Sequence, residues 1–403
     1  METQKPDKEP DKITCPLRPH LPGKPHIGEL KDMAQSLAAA SAALEGRVAR
    51  ETAAAIGHHL RMINSYHSNL IEGHKTTIAD IERALARNFQ ADPEKKYAQE
   101  LCAAHVEIEN KFMETVQAAE HINICTPAFL ADIHAAFYSH LPEEHRFTHA
   151  HTGFTDMPVR PGMLRDVNIS VDGRFPHGPD CRVLPGLMER FAENYNPACF
   201  HGDERLIAMA ASHHRLTWLH PFRDGNGRVS RLFSGLYLVC AGVNRRNLWS
   251  LSRGLSRNKQ RYMMELWATD SPEERDALLA DFCRFFFAVC LDQIRFMERL
   301  LRLDHIEARI DAYVAMRAKD PERPLRPESA KLLRAIFMRG SLPRGKAGEI
   351  LAMSPRNARR IVSTLIDEGL VSAESHRAPL TIGLPVHALP HYFPDLYDPS
   401  IME

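Results

Sequence analysis

The stretch from His220 to Arg231, H-P-F-R-D-G-N-G-R-V-S-R, constrains this chain more than any other. On its N-terminal side Leu206, Met209, Ala210, His213, Leu216 and Leu219 recur at helical spacing. On its C-terminal side Val229, Leu232, Phe233, Leu236 and Val239 do the same. The polar stretch is therefore a loop between two buried helices, with Gly225-Asn226-Gly227 opening the second. It carries an imidazole, a carboxylate four residues on, and two guanidiniums three apart.

That order of groups suits a polyphosphate. Glycines let backbone N–H groups approach oxygens closely, and a helix N-terminus adds unpaired donors and a positive dipole end. Arg228 and Arg231 share one face of the second helix, where two forks can hold successive phosphates. Asp224 offers the hard oxygen that Mg²⁺ prefers when it also binds phosphates and water. His220 is the side chain here able to accept a proton near neutral pH.

With every defined position filled, the stretch resembles the signature of the Fic family, His-x-Phe-x-(Asp/Glu)-Gly-Asn-Gly-Arg-x-x-Arg. Most of that family moves the adenylyl group of ATP to a Ser, Thr or Tyr hydroxyl. The resemblance implies His220 as general base and Asp224 as the Mg²⁺ ligand. It implies Gly225, Asn226 and Gly227 as the anion hole, Arg228 on the α/β phosphates and Arg231 on the γ-phosphate, with Phe222 as a buried anchor. It also implies the fold: mainly α, a Fic-type helical bundle with a short β-hairpin flap.

Upstream, Ser68-Asn69-Leu70-Ile71-Glu72-Gly73 places a hydroxyl and a carboxylate four apart on one helical face, with a glycine to close the helix. The run resembles the inhibitory helix of many Fic proteins, (Ser/Thr)-x-x-x-Glu-(Gly/Asn). The resemblance implies that Glu72 pairs with Arg231 and competes with a phosphate for its donors. Between Phe147 and Arg182 the helical period fails, and Val167, Ile169 and Val171 alternate before Asp172-Gly173. A β-hairpin is expected there; in the family, a flap at this place pairs with the main chain of a target. Asn258 and Tyr262, four apart in a following helix, are candidate adenine or ribose contacts by the same resemblance.

Composition excludes several classes. Lys+Arg and Asp+Glu number 51 each, so no global field points to nucleic acid or membrane. Eight scattered cysteines without a C-x-x-C pair suit reduced thiols. The charged start lacks a signal peptide's apolar core, and the apolar run Phe282–Leu291 is too short to span a bilayer, so a cytoplasmic protein is expected. Of the 22 histidines the tightest clusters are His58-His59, His149-x-His151 and His213-His214, and none of these clusters has the His-x-x-x-His pairing with a nearby Glu that marks a zinc helix.

The expected organisation is a proline-rich arm at 1–29, a helical region at 30–100 with the inhibitory helix near its middle, and a catalytic domain at 101–317. A proline-rich linker at 318–327 leads to a second domain at 328–386 and an irregular tail at 387–403. Leu30 to Ile63 reads as helix, and a long helical stretch in two segments is expected from Pro272 to Ala318. Residues 328–386 read as three helices and a hairpin, and resemble a winged helix-turn-helix. Residues 323–360 hold ten Lys/Arg against two acids. Arg356, Asn357, Arg359 and Arg360 fall early on the expected recognition helix, where DNA contacts are made. Duplex DNA and a protein-docking or dimerisation role both stay open for this module. For the whole chain, three readings stay open: AMP transfer to a target protein or to itself, transfer of another phosphate-containing group such as UMP, phosphocholine or phosphate, and a nucleotide-sensing DNA-binding regulator.

Overall fold

The computed structural model describes residues 17–148, 157–168, 178–268 and 275–396. Apolar residues at helical spacing become helices that bury that face, and the chain is mainly α. In order these are α1 Lys24–Arg47, α2 Arg50–Ile71, α3 Ile78–Leu85, α4 Pro93–Ala118, α5 Pro127–Ser139, α6 Leu184–Tyr195, α7 Asp203–Leu219, α8 Asn226–Cys240, α9 Leu251–Arg257, α10 Lys259–Ala268, α11 Arg275–Leu300 and α12 Leu303–Arg317. The alanine-rich stretch expected as one helix from Leu30 to Ile63 is two, because Val48 and Ala49 are extended.

Local chemistry sets several of these starts. Thr77, Asp92 and Thr126 each accept a hydrogen bond from the N–H three residues on, closing α3, α4 and α5. Pro93 and Pro127 sit where a missing N–H costs nothing. Helices α7 and α8 are buried nearly all round, from Leu206 to Leu219 and from Val229 to Val239. They form the centre of the bundle, with α1, α6 and α11 against α7 and α2, α4, α5 and α9 against α8. The phenylalanine stripe of α11, Phe282, Phe285, Phe286 and Phe287, is core.

After α12 come α13 Ser329–Arg339, β1 Ser341–Leu342, α14 Ala347–Leu351, α15 Pro355–Asp367, β2 Val371–Ser372, β3 Leu380–Ile382 and α16 Leu389–Tyr392. The strands form an antiparallel sheet in the order β1-β3-β2. Strand β1, absent from the sequence expectation, is only two residues long and pairs Ser341 with Thr381 and Leu342 with Leu380. The connection after α12 is mostly exposed, with Leu325 buried, and Arg317 at the end of α12 is bound to Glu368 of the module. One expectation is corrected here: the C-terminal segment as far as Leu396 is packed, with Leu389, Tyr392, Phe393 and Leu396 buried. A buried hydrogen bond from Thr52 Oγ1 to the Phe337 carbonyl ties α2 to α13. Most of the expected flap, including Ile169 and Val171, lies outside the described residues, as do His149 and His151 and the arm before Leu17.

Candidate active site

The loop between α7 and α8 is held in a conformation few residues favour. His220 closes α7 in the left-handed region (φ 45°), and Gly225 opens α8 at φ 79°. A Cβ on Gly225 would also lie 2.9 Å from the Tyr138 ring, so glycine is required twice over. Asn226 clips the loop shut: its Oδ1 accepts from the Phe222 N–H and its Nδ2 donates to the Phe222 carbonyl, both at 2.8 Å. The Asn226 side chain is thus a structural clip, and what it offers a ligand is its N–H at the first turn of α8 beside those of Gly227 and Arg228.

Helix α5 carries the underside of the loop. Phe222 is fully buried and stacks on His134, centroids 4.0 Å apart. His134 Nδ1 accepts from the Gly162 N–H at 2.9 Å, so Nε2 carries the proton and donates to the Asp224 carbonyl at 3.1 Å. Burial lowers this imidazole to about 3, which keeps it neutral in that role. One turn on, Tyr138 accepts from Arg228 Nη2 at 3.0 Å, and its hydroxyl also meets the Asp224 carboxylate. Asp224 Oδ1 accepts the Gly225 N–H at 2.7 Å, and Oδ2 lies 3.7 Å from Arg228 Nη2.

The two motif arginines are both almost fully buried, yet their surroundings differ. Arg228 Nε and Nη1 meet no acceptor among the described residues. Orphaned buried donors are costly and point to an anionic partner. Arg231 is engaged by α2: Nε donates to Ser68 Oγ at 2.9 Å, and Nη2 donates to the Ser68 carbonyl at 2.9 Å and to Glu72 Oε1 at 2.6 Å. The same Glu72 oxygen lies so close over Gly227 that a Cβ there would collide with it. Burial alone would raise the Glu72 carboxyl, but the guanidiniums of Arg231 and Arg228 outweigh that and hold it below its usual value.

Helix α2 ends in a Schellman motif. Gly73, at φ 94°, donates to the Leu70 carbonyl and His74 donates to the Asn69 carbonyl. Lys259 Nζ adds a 2.6 Å bond to the Ile71 carbonyl, a cation at a helix C-terminus.

His220 is lowered to about 4, chiefly by burial and then by Arg165, against Asp224, Glu72 and the Thr217 carbonyl. It is neutral at pH 7 and able to take a proton. Arg165, 2% exposed, pairs with carbonyls rather than a carboxylate: Nε with His220 at 2.9 Å, Nη1 with Val167 at 3.0 Å, and Nη2 with Pro179. It thereby ties both ends of the segment around 169–177 to the catalytic loop. Val167 itself is half-buried.

The shared helical face expected of Asn258 and Tyr262 is corrected. Helix α9 ends at Asn258 (φ −112°, ψ 27°), so the two do not share one helical face. Asn258 is exposed and its Nδ2 caps the Gly254 carbonyl, while Tyr262 is buried with its hydroxyl 2.8 Å from His213 Nε2. His213 Nδ1 in turn meets Ser234 of α8 at 2.7 Å. Arg356, Asn357, Arg359 and Arg360 are exposed on α15, remote in sequence from all these groups. Sequence reasoning missed His134, Tyr138, Arg165 and Lys259. The i, i+4 spacing of His134 and Tyr138 in an apolar helix was the one available signal.

Among the described residues no group of three His, Cys, Asp or Glu could hold a metal by itself. A single carboxylate with one oxygen facing Arg228 fits the Mg²⁺ mode in which phosphates and water complete the shell.

Residues 124–238 match the Fic/DOC family. A protein from Drosophila grimshawi named Protein adenylyltransferase Fic is 29% identical over 177 residues, 44% of this chain and 32% of that one. The protein of the same name from Nematostella vectensis is 28% identical over 182 residues, 44% of this chain and 37% of that one. The chain thus spans about a third of the length of these relatives. A solved Fic family protein from Desulfovibrio desulfuricans G20 shares the fold at 17% identity, with a TM-score of 0.53 over 91% of this chain and 99% of that one.

Proposed function

We propose, from the match of residues 124–238 to the Fic/DOC family, that the chain moves AMP from ATP to a Ser, Thr or Tyr hydroxyl of a protein and is held in check by Glu72. The triphosphate lies along the first turn of α8. Arg228 supplies its two orphaned donors, and the N–H groups of Asn226, Gly227 and Arg228 face the charge that develops. Neutral His220 takes the proton of the incoming hydroxyl as its oxygen bonds to the α-phosphorus, and the bond to the pyrophosphate oxygen breaks. Asp224 would hold Mg²⁺ with the phosphates, an ion that neutralises charge on the leaving pyrophosphate. Tyr138 and His134 keep Asp224 and Arg228 in register, and Arg165 anchors the segment that would present the target.

One observation carries the inhibited state. The Glu72 carboxylate occupies both Arg231 and the space above Gly227, as an anionic ligand at this helix terminus would. Full binding of the γ-phosphate therefore requires α2 to give up this contact. Glu72→Gly should raise label transfer from ATP, with Mg²⁺, into a cell lysate and into the chain itself by about tenfold or more, the loss of about 1.4 kcal/mol of competition. An unchanged or lower rate from the folded variant refutes the inhibition, and no labelling from ATP in that variant refutes the transfer.

For the C-terminal module, a specific observation favours duplex DNA. Arg356, Arg359 and Arg360 are exposed on α15 and none forms an ion pair among the described residues. With sheet β1-β3-β2 beside it, the module reads as a winged helix with α15 as its recognition helix. Retention on duplex DNA should fall steeply as salt rises, and a weak, flat response would assign the module to protein docking.

A further inference from the structure

Helices α9, α11 and α12 and the segment at Asp395 enclose a second cleft of about 700 Å³, the size of a small-molecule site. The motif at 220–231 contributes nothing to its lining. Four guanidiniums line it, those of Arg253, Arg257, Arg299 and Arg309, against the carboxylates of Asp292 and Asp395. Among the described residues none of the four forms an ion pair.

The inner wall is built with care. Arg253 is 4% exposed and lies 3.8 Å over the Phe296 ring. Its Nη1 donates to Gln293 Oε1 and its Nη2 to the Asp395 carbonyl, both at 2.9 Å. Arg309 Nη1 donates to the Leu300 carbonyl at 2.8 Å and to that of Tyr392 at 3.3 Å. Neutral acceptors fix the direction of both forks, and Asp292 and Asp395 offset only part of the charge of the four guanidiniums. Burial and the neighbouring Arg257 push Arg253 down to about 10, the expected consequence of crowding like charges in a half-dry space. Arg257 and Arg299 stand exposed at the rim, free to close on a ligand.

Crowding four guanidiniums against two carboxylates in a partly buried cleft is expensive, and an anion that binds there recovers charge-assisted hydrogen bonds from several forks at once. The Phe296 ring on the wall is already covered by Arg253, which leaves the His305 imidazole as the one other ring in the lining, so the guanidiniums dominate what the cleft offers a ligand. We propose that this cleft is a binding site for a compact polyphosphate anion, distinct from the site at α8 and recognised by charge rather than by a base. The proposal is independent of the transfer reaction.

The probe is inorganic pyrophosphate titrated calorimetrically into the full chain, and into an Arg228→Ala/Arg231→Ala form that silences the other site. Saturable binding is expected in both. Arg257→Glu/Arg299→Glu should weaken it at least about tenfold, and the milder Arg257→Gln/Arg299→Gln by about threefold; both pairs are exposed, and circular dichroism checks the fold. Absence of saturable binding to the silenced form, or binding that neither rim pair alters, overturns the proposal.

Discussion

Arg228 and Arg231 stand one turn apart on the same helix, and their surroundings are opposite. Arg228 rests on α5, oriented by Tyr138 and by Asp224, with two donors facing no acceptor. Arg231 is closed over by α2, which answers it with a hydroxyl, a carbonyl and a carboxylate. One side of the cradle is preorganised and waiting; the other is filled by the chain's own anion. The difference teaches that chemistry and control are separable here. In the proposed reaction the groups that would orient phosphates come from α5 and α8, and the group that would withhold them comes from α2.

That contrast can be broken by substitution, and the largest effect belongs to the waiting side. In a Glu72→Gly background, Arg228→Ala should cut the initial rate of label transfer about a hundredfold, the usual cost of losing one preorganised donor to developing charge. A rate within twofold of the parent would show that Arg228 does not hold phosphate.

The pH profile is next. A lowered His pKa means the neutral base persists as pH falls below the ordinary 6.5, and Glu72→Gly also removes a charge that raises His220, so the acid limb of that variant's rate should sit at 4 or lower. Below that it should fall about tenfold per pH unit. An acid limb near 6.5 would mean that His220 is solvated in the working state. Glu72 titrates with the opposite consequence for the clamp. Its depressed carboxyl keeps the pair with Arg231 intact above the ordinary carboxylate value, and the pair is lost as pH falls through the lowered one.

Tyr138→Phe keeps the ring that packs on Gly225 but removes the hydroxyl between Arg228 and Asp224. The rate in the Glu72→Gly background should drop about fivefold, less than the full worth of a hydrogen bond to a charged group, with little change in urea stability. A loss confined to stability would make Tyr138 a packing residue alone. The smallest effect is expected at the edge of the clamp. Lys259→Met removes the cation at the end of α2, worth roughly 0.3–1 kcal/mol, and should raise the wild-type rate two- to threefold. It should leave the Glu72→Gly rate unchanged; an equal rise in both would place Lys259 outside the clamp.

Much of the site was legible because its chemistry is local. A glycine at φ 79°, a clip from Asn226 to Phe222 four residues earlier, and a helix capped by Gly73 all depend on neighbours in the chain. The Asn258–Tyr262 reading failed for a reason equally physical: spacing of four implies a shared face only if the helix is unbroken, and α9 ends at Asn258. The packed state of the segment to Leu396 was hidden because prolines signal the end of regular structure, not the absence of packing.

By itself the sequence determined the helical framework, the loop between α7 and α8, and the kinds of group assembled on it, since periodicity, glycine and capping residues act over one or two turns. Only the tertiary structure decided which arginine is free and which is taken. His134, Tyr138, Arg165 and Glu72 reach the loop and α8 from 55 to 159 residues away, and Lys259 reaches the end of α2 across 188. Their roles follow from desolvation and hydrogen-bond geometry, which exist only once the helices have packed.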